Sequence, residues 1–440
     1  MSERLRYLLA RMVRTTWWRC ALVSVFALVA VLISALAGPY IPESLASDLG
    51  ADAVGSILTI LASSMLTVAI FSANGMVTAL GAVSSSATPR ASQLVVQDST
   101  AQNTLAVFIG TFVYSLIGLV GMSAHIYDHG GRLVLFGFTL VLLVFVIVVL
   151  LRWLDYLSTL GRLGATLARV ERATRAAMEQ RLKLPHLGGQ PQAPGQRGAH
   201  AVPADRVGFV EHVSMDLLDA LAGEHGTMFH VHALPGRFVD PSVALASADA
   251  PLDADARARV LEAFSIGSGR TFDHDPRFGL VVLGEVGARA MSASVNDPGT
   301  ALEVIASGMR LLVHWAQASR AESEPPKFAR VSAPPLRAAG MVEDIFAPLA
   351  RYAAAAPEVG LALQRGLRSL DALGHAPFAE AARAQSAYAL ERARRADLPP
   401  GDLAELEAAA PPARQDRPGP SARAADSGDD GRPAPLRPGG

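Results

Sequence analysis

The stretch from residue 53 to 90, AVGSILTILASSMLTVAIFSANGMVTALGAVSSSATPR, limits the possible folds more than any other part of this chain. It is apolar enough to cross a membrane as a helix, yet Ser56, Thr59, Ser63, Thr67, Asn74 and Thr78 recur at intervals of three, four or seven. On a helix turning about 100° per residue, these six fall within one arc of about 100°. A polar stripe is poorly suited to lipid. The spacing therefore predicts that this face turns toward other helices or a wet cavity, as the inner helix of a bundle.

Three further apolar runs accompany it, at about 20 to 38, 104 to 124 and 133 to 151, with the striped run itself spanning about 55 to 80. Half of the 440 residues are hydrophobic and the mean hydropathy is +0.28, which fits membrane residence for part of the chain. Arg4, Arg6, Arg11, Arg14 and Arg19 precede the first run, and Arg152, Arg162, Arg169, Arg172 and Arg175 follow the fourth. The loop between the first two runs carries Glu43, Asp48 and Asp52 and no Lys or Arg. This alternation predicts four spans in the inner (plasma) membrane with both termini cytoplasmic. The first run is long and lacks a small-x-small cleavage signal, so it reads as a span and not a signal peptide. No Asp, Glu, Lys or Arg lies inside a span, which argues against proton-coupled transport and voltage sensing.

The spans differ in character. Residues 133 to 151 are apolar all round, as suits a lipid-facing helix. Ala106, Gly110, Tyr114 and Gly118 form a mostly small-residue stripe on the third span, which is expected to pack on the striped second. Beyond the fourth, Leu160, Leu163, Leu167, Val170, Thr174 and Ala177 continue a helical spacing, and residues 152 to 184 read as an amphipathic stalk prolonging the span. That stalk suits a signalling rod, a strip on anionic lipid, or an ordinary helix packed on the following domain. The Pro/Gly/Gln-rich segment 185 to 204 reads as a linker.

The expected architecture is a membrane α-helical bundle of four transmembrane helices followed by a cytosolic α+β domain, with a small β element and several helices. That domain is expected over 205 to 320, with helical spacing from Val207 to Ala222 and a strand from Thr227 to Leu234. A helix from Phe278 to Met291 is followed by a turn, then by a second helix with Asp297 as its N-cap and Pro298 at its first position. Further helices are expected over 321 to 400, and the tail from 410 to 440 has too few apolar anchors to fold.

Several short motifs are shared with a known family. They include Ser63-Ser64-Met65-Leu66, Phe71-Ser72 and Pro89-Arg90 in and after the second span. Later come Gly236-x-Phe238-Val239, Gly269-Arg270-Thr271 with Asp275, Arg289-Ala290-Met291-Ser292, Asn296-Asp297-Pro298 and Thr300-Ala301. On these residues the chain resembles the predicted bacterial membrane protein family called domain of unknown function 2254, over roughly residues 15 to 375. Ala293-Ser294-Val295 stands where that family tends toward Pro-Gly-Ile. The resemblance implies topology and no reaction.

Arg270, Asp275, Arg289, Ser292, Asn296 and Asp297 form the candidate site, either an anion site at the helix start near 297 or an internal ion-pair network. His230 and His232, two apart on a strand, share a face and are the nearest approach to a metal pair, with His225 and His274 as further candidates. Ordinary core or surface histidines are the simpler reading, and no metal or cofactor is called for. A turn resembling small lipoyl modules lacks the lysine that would carry the group. The single Cys20 excludes an intramolecular disulfide, and a net charge of −1 offers nothing to nucleic acid. No catalytic pair stands out, since Ser292 has no evident base and His274 has only Asp273 and Asp275 beside it. The reading is a membrane-anchored sensory or scaffolding protein, not an enzyme. It would sit in the lipid bilayer as a homo-oligomer and bind an unknown cytosolic ligand or protein. The alternative is an oligomeric channel whose pore is lined by the second span's stripe.

Overall fold

A computed structural model describes residues 16–37, 40–41, 51–96, 98–320 and 325–412. The basic N-terminus up to Thr15, the loop acids Glu43 and Asp48, and the tail from 413 onward lie outside the described residues. Four helices are long and apolar enough to cross a membrane: α1 (Thr16–Ala37), α2 (Ala51–Ser86), α4 (Ser99–Ser123) and α5 (His129–Thr159). A short helix α3 (Ser92–Val96) lies between the second and third. Asp98 caps α4 by accepting the Thr100 amide at 2.8 Å, and Asp128 caps α5 by accepting the Gly131 amide at 2.7 Å.

The inner helix is the third span, not the second. About 44% of the third span's apolar window is buried, against 28% for α2 and 17% for α5. Its small residues permit this: a Cβ on Gly110 would lie 2.3 Å from Val23 of α1, and one on Gly118 would lie 3.2 Å from Leu58 of α2. The stripe on α4 thus receives the first span as well as the second. Tyr114 ties it to α5 through the Thr139 hydroxyl at 3.0 Å and the Leu135 carbonyl at 3.2 Å.

The polar stripe of α2 faces away from the bundle, which corrects the expectation of an inward face. Ser56, Thr59, Ser63, Thr67, Asn74 and Thr78 are all exposed, while Val54, Leu58, Leu61, Met65, Ala69 and Ser72 form the packed face. Spacing alone misleads here because the hydroxyls satisfy themselves. Thr59 donates to the Gly55 carbonyl at 2.8 Å, Ser63 to Thr59 at 3.0 Å, Thr67 to Ser63 at 2.9 Å and Thr78 to Asn74 at 3.0 Å. A hydroxyl bonded one turn back needs no other helix.

The stalk is a separate helix. Helix α5 ends at Thr159, Gly161 takes φ +87°, and α6 begins at Leu163 and runs to Lys183. Its apolar face is the one read from the sequence, with Leu167, Val170, Thr174, Ala177 and Met178 buried. That face packs on the extramembrane helices and not on lipid. At Gly279, where a Cβ would meet Thr174 Oγ1 at 1.7 Å, two helices touch closely.

The segment read as a linker is built into a sheet. Residues 189–191 form β1 and 200–203 form β2. Then come β3 (Gly208–Val213), α7 (Met215–Glu224), β4 (Phe229–Val231), β5 (Phe238–Val239), β6 (Ala244–Ala248), α8 (Ala254–Glu262) and β7 (Phe264–Gly267). The larger sheet has the order β1-β8-β4-β6-β2, with β8 (Phe328–Ala333) parallel to both neighbours and the β4-β6-β2 pairs antiparallel. Strands β1 and β2 are its edges, where Pro191 and Pro203 cost no ladder bond. The smaller sheet is antiparallel, in the order β5-β3-β7. The helix expected over Val207 to Ala222 is therefore a strand followed by a helix.

Helices α9 (Pro276–Ala290), α10 (Pro298–Ala318), α11 (Ala338–Tyr352), α12 (Pro357–Ala372), α13 (Ala376–Arg394) and α14 (Pro400–Ala409) form a helical unit. Its core includes Phe278, Leu283, Leu311, Ile345, Phe346 and Leu367, together with Val83 at the end of α2, Ala87, Ala91 and Val95 of α3. The sheet unit has its own core around Phe229, Val231, Leu245, Leu218 and Val331. Segments 205–320 and 321–400 thus interleave: β8 completes the first unit's sheet, while α9 and α10 belong to the second.

Candidate functional site

Helix α9 divides the six candidate residues. Asp275 caps its start and Arg289 lies in its last turn, about 20 Å away at 1.5 Å per residue. At the far end, Asp297 caps α10, accepting the Thr300 amide at 3.1 Å and the Thr300 hydroxyl at 2.6 Å. Those bonds hold its carboxyl below the usual range. Asn296 takes φ +46° in the turn, Ser292 pairs with the Ser294 hydroxyl at 3.3 Å, and Arg289 is exposed. A helix start already occupied by its own carboxylate is a poor anion site. This end of the candidate site is a capped turn.

At the near end, Asp275 organises a buried junction between the two extramembrane units. Its Oδ2 accepts from Arg270 Nε at 2.7 Å and its Oδ1 from the Arg277 amide at 3.1 Å. Arg181 of α6 is almost fully buried nearby and donates to the His274 carbonyl at 3.3 Å. Burial pushes its guanidinium down to about 10, against the pull of Asp275. Burial likewise pushes the Asp275 carboxyl above its ordinary range, opposed by Arg270, the Arg277 amide and Arg181. A Cβ at Gly236, φ +90°, would lie 2.0 Å from Asp275 Oδ2, so the motif glycine lets the turn before β5 close over the carboxylate. The Arg270 Nε–H, the nearby charge of buried Arg181 and a helix start share one carboxylate, which makes the cluster a clasp.

His212 of β3 sits against His274, ring centroids 4.8 Å apart. Burial pushes His212 down to about 4, with His274 adding to the shift and Asp216 opposing it. His230 lies on β4 and His232 one residue past its end, two apart as a shared strand face requires. His230 meets Ser332 Oγ at 2.7 Å and Asp249 Oδ1 at 3.0 Å, while His232 meets Ser247 Oγ at 2.8 Å and Gln192 at 3.5 Å. Burial pushes His232 down to about 4, with Arg197, His230 and Arg237 adding to it. Both rings are held by hydroxyls, and His274 lies against the other sheet. Among the described residues no three His, Cys, Asp or Glu side chains converge on a metal-sized site.

Ser332, His230 and Asp249 form a hydrogen-bonded chain that the sequence reading missed, because Ser332 lies 102 residues from His230 in a Pro-rich stretch. Its order echoes a nucleophile, a base and an acid, but Ser332 is 1% exposed. An open cavity of about 500 Å³ lies at the Asp249 end, lined by Thr227, Met228, Asp249 and Arg330 among others. The serine does not reach it, so the chain presents no nucleophile to a substrate.

Four candidate spans, three of them packed around the third, followed by a mixed sheet and a helical unit sharing a core with the second span's end, define a membrane protein with a large extramembrane domain. Residues 13–369 match the family model of a predicted membrane protein, domain of unknown function 2254, and the chain belongs to that family. No curated protein and no solved structure matches it.

Proposed function

We propose that this is an inner-membrane protein with both termini and its extramembrane domain in the cytoplasm, which transmits binding of a cytosolic ligand or partner to the second span. The observation that carries the reading is the shared core. Val83, Ala87, Ala91 and Val95 are fully buried among the helices of the extramembrane unit, so the end of the second span is part of that unit's interior. Interiors packed at crystal-like density transmit displacement. Arginines flanking the fourth span and an acidic, Lys- and Arg-free loop after the first support the orientation. The open cavity beside Asp249 and Arg330 supports the reading, since its lining offers both a carboxylate and a guanidinium to a small polar ligand. Hydrogen exchange on the full chain in lipid nanodiscs tests the coupling. Ala350→Glu, which buries a carboxylate in that same core, should raise exchange in α9 and in the last turns of α2 together. A rise in α9 alone sinks the reading.

A second reading rests on the six exposed stripe residues. A homo-oligomer that brings this face of α2 to its centre would line a water-filled path with hydroxyls and an amide. Single-channel recording from purified protein in planar bilayers decides it, since a transducer without a pore carries no current.

A further inference from the structure

Five polar atoms at the end of the bundle nearest α6 are buried without a hydrogen-bond partner among the described residues. They are Ser72 Oγ on α2, Gln102 Oε1 on α4, Trp153 Nε1 and Tyr156 Oη on α5, and Arg169 Nη1 on α6. Packing contacts between the helices bring them to one level. Gly75 of α2 meets Leu157 of α5, with a Cβ position 3.3 Å from Leu157 Cδ2, and Gly161 beyond α5 faces Ala79 and Ala82. The two helices therefore run the same way, and Ser72 lies level with Trp153. On the antiparallel α4, Leu58 faces Gly118, and equal steps along both helices set Ser72 beside Thr104, within a turn of Gln102.

The remaining links are direct. Trp153 stacks on Tyr156 with centroids 5.4 Å apart, and the Arg169 guanidinium lies 5.5 Å over the Tyr156 ring. Arg169 Nε reaches Asp98 Oδ2 at 3.3 Å, and the Gln102 backbone N–H donates to the Asp98 carbonyl one turn back, while its side-chain amide donates to the Val96 carbonyl at 2.7 Å.

We propose that this junction is a hydration site, in which ordered water molecules bridge the second, third and fourth spans to α6. The chemistry selects water over the other small occupants. A phosphate would find the Trp153 and Arg169 donors but also the Asp98 carboxylate and the Gln102 carbonyl. A cation would find those oxygens but face the Arg169 guanidinium. Water accepts from the two N–H groups and donates to the two oxygens, and a buried water typically needs two to four such partners. Ser72, Gln102 and Trp153 are each no more than 3% exposed, so a lipid headgroup has no entry. Water held there lets the joint between span and domain shift without breaking a direct bond, because a bridging molecule can re-aim its hydrogen bonds. The site stands whether or not the domain signals.

Radiolytic hydroxyl-radical labelling of the full chain in lipid nanodiscs tests it, since radicals formed on bound water oxidise the side chains beside them. Trp153 is 3% exposed and Trp315, in α10, is 9% exposed. A dry junction predicts slower oxidation of Trp153, and a hydrated one predicts oxidation several-fold faster than Trp315. Trp153 slower than Trp315 overturns the proposal. The pair Ser72→Ala and Gln102→Leu should then lower the Trp153 rate and leave Trp315 unchanged; an unaltered Trp153 rate removes the waters from these atoms. If that variant does not fold, the comparison of the two tryptophans in the unmodified chain decides alone.

Discussion

Arg90, just beyond the second span, hydrogen-bonds through Nη1 to Glu285 Oε1 midway along α9, 195 residues later. The pair is half open to solvent on the arginine side, and exposed ion pairs contribute roughly 0 to 1 kcal/mol. Attachment comes from Val83, Ala87, Ala91 and Val95, all fully buried. Arg90→Ala should therefore lower stability by less than about 1 kcal/mol, while Ala87→Asp, which buries an unpaired carboxylate, should cost on the order of 3 kcal/mol or more. Thermal unfolding of the detergent-solubilised full chain measures both. Equal effects would mean that the contact is ionic after all.

Two glycines of the family motifs make opposite demands. Gly236 has φ +90°, and a Cβ there would collide with Asp275; Gly269 has ordinary φ and nothing within 4 Å of its Cβ position. Gly236→Ala should destabilise by more than about 2 kcal/mol, since strain and collision add, whereas Gly269→Ala should stay within about 0.5 kcal/mol of the parent. Chemical denaturation of the two variants side by side is the check. A mild Gly236→Ala would mean that the clasp around Asp275 yields easily.

What the sequence made legible was local. Asp297-Pro298 announced the start of α10 because cap and first turn are adjacent in the chain, and the 3.6-residue spacing of Leu167, Val170 and Thr174 marked the buried face of α6. The larger sheet was not legible because its partners are distant. Strand β8 lies among prolines at 325–335, and only its register with β4, Phe229 opposite Val331, shows it to be a central strand. Segment 185–204 looked flexible because Gly and Pro serve strand edges as readily as linkers. The six candidate residues do not gather in one place for a third reason: a helix of 15 residues stands between their two groups, although Arg270 and Asp275 do form one of the ion pairs that the network reading allowed.

Acid should loosen the extramembrane domain through His212. Its folded pKa is depressed to about 4 from about 6.5, so the folded state binds fewer protons than the unfolded chain between those values. Stability then rises with pH across that window. The contribution present above pH 6.5 is lost as pH falls toward 4, by up to roughly 3 kcal/mol. His212→Gln should flatten this acid limb without abolishing it, because His232 is depressed to about 4 as well. Denaturation midpoints at pH 7 and pH 5 give the comparison, and identical slopes for parent and variant would acquit His212.

The outward stripe of α2 yields the sharpest test of assembly. Thr59, Ser63 and Thr67 bond their own helix, so they tolerate lipid as isolated residues, yet lipid contact gives no reason for them to share one face. Close packing of a second copy does, because small polar side chains let helix backbones approach. In a Cys20→Ser background, Ser63→Cys and Thr67→Cys should cross-link two copies on mild oxidation in membranes. Val144→Cys, on the exposed face of α5, should not. Cross-linking at neither stripe position would place the stripe against acyl chains and remove the conduit reading, while leaving the shared core of α2 and the extramembrane helices untouched.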